Sequence, residues 1–206
     1  MSDEVEPWPP AVELGGRFVR LVPLEPAHAP DLIEAVKDGD LWRLWYTNVP
    51  APEGMQGEIA RRLALRAAGS MLPFAVISPE AGRPVGMTTY MNIDAENRRV
   101  EIGSTWYRRS VQRTGLNTEA KRLLLAHAFE GLGCIAVEFR THFFNRASRA
   151  AIERLGARLD GILRSHTRDR DGVLRDTCVY SITASEWPTV RRHLDFQLTR
   201  GAAGEA

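Results

Sequence analysis

The chain has 206 residues, 44% hydrophobic and 26% charged, an ordinary globular composition with room for one domain or at most two small ones. Its 27 Lys and Arg nearly balance 26 Asp and Glu, so bulk charge gives no ground for a nucleic-acid or membrane partner. No run of eighteen apolar residues offers a membrane span, and the acidic, proline-rich start MSDEVEPWPP lacks the basic and apolar regions of a secretory signal. Cys134 and Cys178 sit apart among apolar neighbours, as buried thiols of a reducing compartment would. A cytoplasmic protein is expected.

Residues 1–14 read as an extended N-terminal arm, 15–197 as one domain, and 198–206 as a flexible tail. RFVRLVPL (17–24) alternates apolar and polar, as a strand does, and Pro26 opens a helix to about Val36. The aromatic stretch LWRLWYTNVP (41–50) ends at a proline. GEIARRLALRAAG (57–69) predicts a helix with Ile59, Leu63 and Ala67 inside and Arg61, Arg62 and Arg66 off that face. Strands follow at 73–78, 84–93 and 99–107, the last two joined by the turn DAEN.

A helix then runs to about Gly131, its apolar face formed by Leu116, Ala120, Leu123, Leu124 and Ala128. A strand at 135–143 and a short helix at 146–156, stopped by Gly156, come next. Strands at 157–168 and 173–183 flank the turn signal Asp171-Gly172. A last helix, 185–197, has Ser185 as its cap and Pro188 in its first turn. This order predicts an α/β (α+β) chain with a mixed, mostly antiparallel sheet of about seven strands flanked by helices. One parallel crossover is implied, from strand 99–107 through helix 117–131 to strand 135–143.

The informative stretch is SVQRTGLNTEA (110–120), between a strand and a helix. Its backbone N–H groups at a helix start, with the helix dipole, suit a phosphate or pyrophosphate. Gly115 supplies freedom of backbone angle and close approach, and Arg108, Arg109 and Arg113 add positive charge. The other reading is an ordinary strand-to-helix turn with solvated arginines. The chain has neither the P-loop pattern nor the dinucleotide glycine pattern.

The segment VEIGSTWYRRSVQRTGLNTEAKRLLLAHAF resembles the acetyl-CoA-binding region of the GNAT N-acetyltransferases, with Gln112-Arg113-Thr114-Gly115-Leu116-Asn117 at the family's loop. Asn117 departs from the small residue usual there. NRASRAAIERLGARLDGILR is similar to the second family signature, and RDRDGVLRDTCVYSITASEW to the closing hairpin of the branch that acetylates N-termini of ribosomal proteins. The resemblance covers about residues 15–195. It implies a single-domain GNAT fold whose sheet splays at the cofactor site, acetyl-CoA as cofactor with CoA as product, and a possible homodimer.

Carried over residue by residue, the resemblance implies that amides of Arg113, Thr114, Gly115, Leu116, Asn117 and Thr118 hold the pyrophosphate, helped by Gln112. Backbone groups of Thr105, Trp106 and Tyr107 would pair with the pantetheine arm as a strand would. Asn145 would bond that arm from the far side, and Arg149 would either reach an outer phosphate or remain a solvated helix residue. The implied reaction is direct attack of a primary amine on the thioester, with a protein N-terminus, an amino acid or another small amine as acceptor.

Glu101, eleven residues before Gln112, stands where the histone-acetylating branch has its base; the alternative is a structural carboxylate paired with an arginine. Many members carry a tyrosine acid seven residues after Asn145, but here that position is Ile152. Ser148 is the remaining candidate, either orienting the thiol or capping the helix. Trp42, Trp45 and Tyr46 either wall the acceptor pocket or pack the first helices on the sheet. His142 reads as a structural histidine, and the scattered histidines suggest no metal site. A non-catalytic acyl-CoA-binding sensor is the alternative function.

Overall fold

The computed structural model describes residues 8–203, with side chains to residue 200. Its strands are β1 (Leu14–Gly15), β2 (Arg20–Pro23), β3 (Met71–Ser78), β4 (Arg83–Asp94), β5 (Arg99–Tyr107), β6 (Ala136–His142), β7 (Arg158–Arg168) and β8 (Leu174–Thr183). They form one sheet in the order β1-β2-β3-β4-β5-β6-β8-β7. Every neighbouring pair is antiparallel except β5 and β6, which the expected crossover helix connects.

Helices cover both faces. Helices α1 (Ala29–Lys37) and α2 (Met55–Ala67) lie on one face, where Leu32, Val36, Met55 and Ile59 meet Ala75, Met87 and Trp106 of the sheet. On the other face, α3 (Gly115–Ala126), α4 (Arg146–Arg154) and α5 (Trp187–Ala203) bring Leu124, Ile152 and Leu194 onto Phe74, Tyr90, Val137 and Tyr180. This double cover explains why β3 is buried along its whole length and reads as a continuous apolar run. Each large side chain so buried contributes about 1.5–3 kcal/mol.

The structure corrects several expectations. The expected strand 17–24 contains β2, and the two-residue β1 before it pairs back on β2 as a short hairpin, so the described sheet has eight strands where about seven were expected. Its turn is wound around one carboxylate: Glu119 of α3 accepts hydrogen bonds from the N–H groups of Arg17, Phe18 and Val19. Gly16 makes room for it, since a Cβ there would lie 2.3 Å from Glu119 Cδ. Arg62, expected to face outward, is 2% exposed, because its guanidinium pairs with Glu58 and reaches into the sheet.

The C-terminal end also differs. The last helix begins at Trp187; Glu186 accepts from the Thr183 N–H and hydroxyl at the turn before it, and Ser185 Oγ lies 3.1 Å from the same hydroxyl. It continues to Ala203, past the expected end at 197, as Gln197 accepts from Arg154 and Leu198 is half-buried. Residues 198–203 of the expected tail therefore belong to this helix, while residues 204–206, and residues 1–7 of the expected arm, lie outside the described ones. Trp8 and Val12 of that arm pack on the core.

Removing the Glu119 carboxylate strands backbone donors that it alone satisfies. Glu119→Ala is expected to cost about 2–3 kcal/mol in urea unfolding, and Gly16→Ala to destabilise as well; a loss within error for both would show that the turn holds itself.

Candidate active site

β5 and β6 pair at only three positions, Arg99↔Ala136, Val100↔Val137 and Glu101↔Glu138. Beyond them β6 stays with β8 as far as His142↔Thr177, while β5 continues along β4 to Tyr107↔Gly86. The two parallel strands thus part, and Glu101 stands at the apex of the wedge. Two β-bulges shape β5 here. Ser104 is the extra residue on β5 and Asn92 the extra residue on β4, with left-handed φ of 48° and 47°. A bulge bends its strand and sharpens the local twist, which turns β5 away from β6.

Two buried cations hold the first bulge from opposite faces of the sheet. From α2, Arg62 donates to the Ser104 carbonyl at 3.2 Å and to Thr89 Oγ1 at 2.8 Å. From α3, Lys121 Nζ donates to Thr105 Oγ1 at 2.7 Å and to Thr88 Oγ1 at 3.1 Å. Thr88 and Thr89 are adjacent on β4 and so face opposite ways. Arg62 has Glu58 as a counter-charge at 2.7 Å. Lys121 makes hydrogen bonds to hydroxyls only, and burial pulls its pKa down to about 7. Sequence reasoning missed both residues; the available signal for Lys121 was its position within the apolar stripe, three residues before Leu124.

A cavity of about 510 Å³ opens beside the apex, bordered by Glu101, Thr105, Trp106, Asn145, Ser148 and Tyr46 among others. The Glu101 side chain is nearly buried, accepts from Asn92 Nδ2 at 2.6 Å and lies 3.5 Å from Arg140 Nε. Burial raises its pKa above the ordinary glutamate value, with Asn92 and Arg140 opposing the rise and Glu138 adding to it. Asn145 caps α4, its Oδ1 accepting from the Ser148 N–H at 3.0 Å. Ile152 is buried in the core, so the aligned position of the usual tyrosine supplies packing only.

The aromatic candidates separate. Tyr46 borders the cavity, Trp45 stands edge-on to His142 at 5.0 Å, and Trp42 packs on the core beneath α1 and α2. His142, read from sequence as structural, is 4% exposed and also borders the cavity. Its Nδ1 accepts from the Phe144 N–H at 3.0 Å, which places the proton of the neutral ring on Nε2. Burial, with Arg175 nearby, lowers its pKa against the opposing pull of Asp169 and Asp176, which favours the neutral ring.

Past Tyr107 the chain enters the loop that borders a second cavity, of about 890 Å³. Arg113, Thr114, Gly115, Leu116 and Thr118 line it, with Arg17, Arg154 and Arg200 adding positive charge. Thr114 caps α3 by accepting from the Leu116 N–H at 3.3 Å. The left-handed residue of the loop is Arg113, with φ 63°, and not Gly115. Gly115 instead allows close packing, since a Cβ on it would lie 3.1 Å from the Phe18 ring.

Gln112 closes the loop by donating to the Tyr107 carbonyl at 2.9 Å. Asn117 is half-buried and does not border the cavity. Arg149 also lies elsewhere, donating to Tyr180 Oη at 3.0 Å, while Arg154 occupies the cavity wall and donates to Thr118 Oγ1 at 3.1 Å. Among the described residues no group of three or more His, Cys, Asp or Glu could hold a metal ion, Cys134 and Cys178 are free and buried, and no helix is long and apolar enough to cross a membrane.

Residues 19–158 match the family described as the acetyltransferase (GNAT) domain. A Bacillus subtilis (strain 168) protein named as a ribosomal N-acetyltransferase, YdaF, is 34% identical over 106 residues, 52% of this chain. That match spans a little over half of the relative, 57% of its length. Among solved structures, a GCN5-related N-acetyltransferase from Brucella melitensis superposes with a TM-score of 0.83 at 31% identity, over 93% of this chain and 87% of that one. Mycobacterium smegmatis RimJ in complex with CoA-disulfide superposes with a TM-score of 0.76 at 25% identity, over 92% and 95% of the two chains.

The depressed Lys121 amine predicts a pH-dependent stability. Its folded pKa of about 7 lies below the unfolded value near 10.4, so between these the unfolded chain binds the extra proton. Stability should rise with pH across that window, on the order of 1 kcal/mol per pH unit, with the full penalty present below it. Thermal or urea unfolding between pH 7 and 9 should show this slope in the wild type and its loss in Lys121→Met; parallel slopes would refute it.

Proposed function

The chain belongs to the GNAT acetyltransferase family, and on that premise we propose that it transfers the acetyl group of acetyl-CoA to a primary amine by direct attack in the wedge between β5 and β6. The observation that carries this reading is Glu101: a nearly buried carboxylate of raised pKa, at the strand apex, on the same cavity as Asn145, Ser148 and the β5 bulge.

The residues present fit the cofactor. A capped helix start at Gly115, flanked by arginines on an 890 Å³ cavity, suits a pyrophosphate. The β5 edge past Glu101 has no partner from β6, so the segment Thr105, Trp106 and Tyr107, with the Tyr107 carbonyl already accepting from Gln112, could take an extended polar arm as a further strand. Asn145 faces that arm from α4 across the wedge. When bound, acetyl-CoA supplies an activated acyl group with a good leaving thiol.

The protein's own groups do the rest. Glu101 accepts the amine proton, directly or through water, and its raised pKa brings its basicity closer to the working pH. A backbone N–H of β5 near Trp106 stabilises the negative charge that develops on the acetyl oxygen. Arg62 and Lys121 keep that strand in its bulged shape, so the donor is pre-positioned. Ser148, on the same cavity, would orient the cofactor's sulfur. The acceptor we adopt is a peptide N-terminus, in keeping with the name of the B. subtilis relative. An α-amine, with a pKa near 8, is already partly neutral at pH 7, whereas a lysine amine near 10.4 is not.

Glu101→Gln should lower kcat by about 100-fold at pH 7 while CoA affinity stays within error. In the wild type, kcat/KM should fall as pH drops through a pKa above the ordinary glutamate range, and the variant should lack that limb. Thiol release measured from pH 5 to 9 checks both, and identical profiles would remove Glu101 from the mechanism. Gly115→Asp puts a side chain against Phe18 and a negative charge at the helix start. It should weaken CoA binding by about tenfold or more, read by calorimetry.

A further inference from the structure

The acceptor cavity carries a charge pattern that the transfer chemistry does not require. Four arginines border it, Arg140, Arg168, Arg170 and Arg175, against two carboxylates, Glu101 and Asp169. Arg140 is committed at the apex, to Glu101 at 3.5 Å and Glu138 at 2.9 Å. The other three sit on the β7–β8 hairpin at the opposite end, and their charge is not spent on carboxylates. Arg168 donates to the Gly172 carbonyl at 2.9 Å and Arg170 to the Trp42 carbonyl at 3.4 Å.

Arg175 is the most telling. Its Nε is buried and has no hydrogen-bond partner, and no carboxylate makes an ion pair with it among the described residues. Asp169 acts on it from a distance, but the Asp169 Oδ1 is already taken by the N–H groups of Asp171 and Val173. A buried donor left unsatisfied costs about 1–3 kcal/mol, and a guanidinium fork is shaped for a carboxylate.

We propose that the acceptor is an acidic peptide: its N-terminal amine lies in the wedge and a carboxylate a few residues along the chain is held by Arg175, with Arg168 and Arg170 adding attraction at the rim. The inference rests on the acetyl-transfer reading above and names its substrate class. Register sets the length. Glu101 is level with Glu138, and Glu138 with Ser181 of β8; Arg175 lies six residues from Ser181, roughly 20 Å along the strand at 3.3 Å per residue. The arginine side chain covers part of that span. A free amino acid, with amine and carboxylate on one carbon, does not cover the remainder. An extended peptide at about 3.3–3.6 Å per residue does so within a few residues. Polyamines and lysine-rich tails meet repulsion at the same place.

The test uses the full chain, acetyl-CoA and synthetic peptides with free N-termini, identical except that residues 2–5 are aspartate-rich, asparagine-rich or lysine-rich. Thiol release should give the acidic series a kcat/KM at least about tenfold above the neutral one, with the lysine series lowest and the preference shrinking as salt rises. Arg175→Gln should bring acidic and neutral peptides to near parity while the CoA-dependent rise in melting temperature is kept. If that variant loses the rise, the exposed pair Arg168→Gln and Arg170→Gln carries the test, with a smaller loss of the same preference expected. Equal rates for acidic and neutral peptides in the wild type would overturn the proposal and leave acetyl transfer standing. No thiol release from any peptide or small amine, despite CoA binding, would overturn both.

Discussion

The parting of β5 from β6 after three residue pairs is the constraint on which the rest of this structure depends. A parallel pair loses ladder hydrogen bonds when it splays, and the protein must supply something that prevents its closing again. The left-handed Ser104 does this locally by bending β5. Arg62 and Lys121 do it from outside, gripping neighbouring residues of the bulge from the two helix layers. Burying two cations is costly, and only one of them has a carboxylate partner. That cost is spent where a rigid backbone matters most, at the strand that would present its amides to the acyl donor.

The electrostatics on either side of this strand differ in kind. The loop after Tyr107 faces a cavity with arginines and a helix start but no buried catalytic carboxylate. The wedge holds one nearly buried glutamate, shielded by Asn92 and Arg140, and a histidine whose pKa burial lowers. On the proposed reading, a phosphate-bearing ligand and the proton acceptor would be held at different places along the chain, Glu101 within β5 and the loop beyond its end at Tyr107.

Much of this was legible in the residues. The strand-helix-strand crossover, the loop at Gly115, the Asn145 cap and the hairpin at Gly172 all carry local turn and capping chemistry, which a sequence displays directly. What stayed hidden depends on partners far along the chain. Arg62 looks like a surface arginine until Ser104 and Thr89 are brought beneath it, and Lys121 like a polar break in an apolar stripe until Thr88 and Thr105 meet it. Gly115 was read for its backbone freedom, yet the strained angle falls on Arg113, and the glycine answers to Phe18, nearly a hundred residues earlier. Arg149 and Arg154 share a helix and a charge; only the helix's orientation shows that Arg154, and not Arg149, faces the loop cavity. The three aromatic residues of 41–50 could not be separated without knowing which way each turn of that segment points.

The Glu119 turn has a consequence for how the site comes into being. Glu119 grips Arg17, Phe18 and Val19 across about one hundred residues of chain, and Phe18 in turn forms one wall against Gly115. The loop at Gly115 is therefore not a self-contained crossover motif. Its shape is completed only when the start of the domain has crossed back onto α3, a contact of high sequence separation that comes at a large loop-closure cost. During synthesis the loop emerges from the ribosome after Phe18 does, and on the proposed reading it would reach its binding shape only once these two distant segments have met.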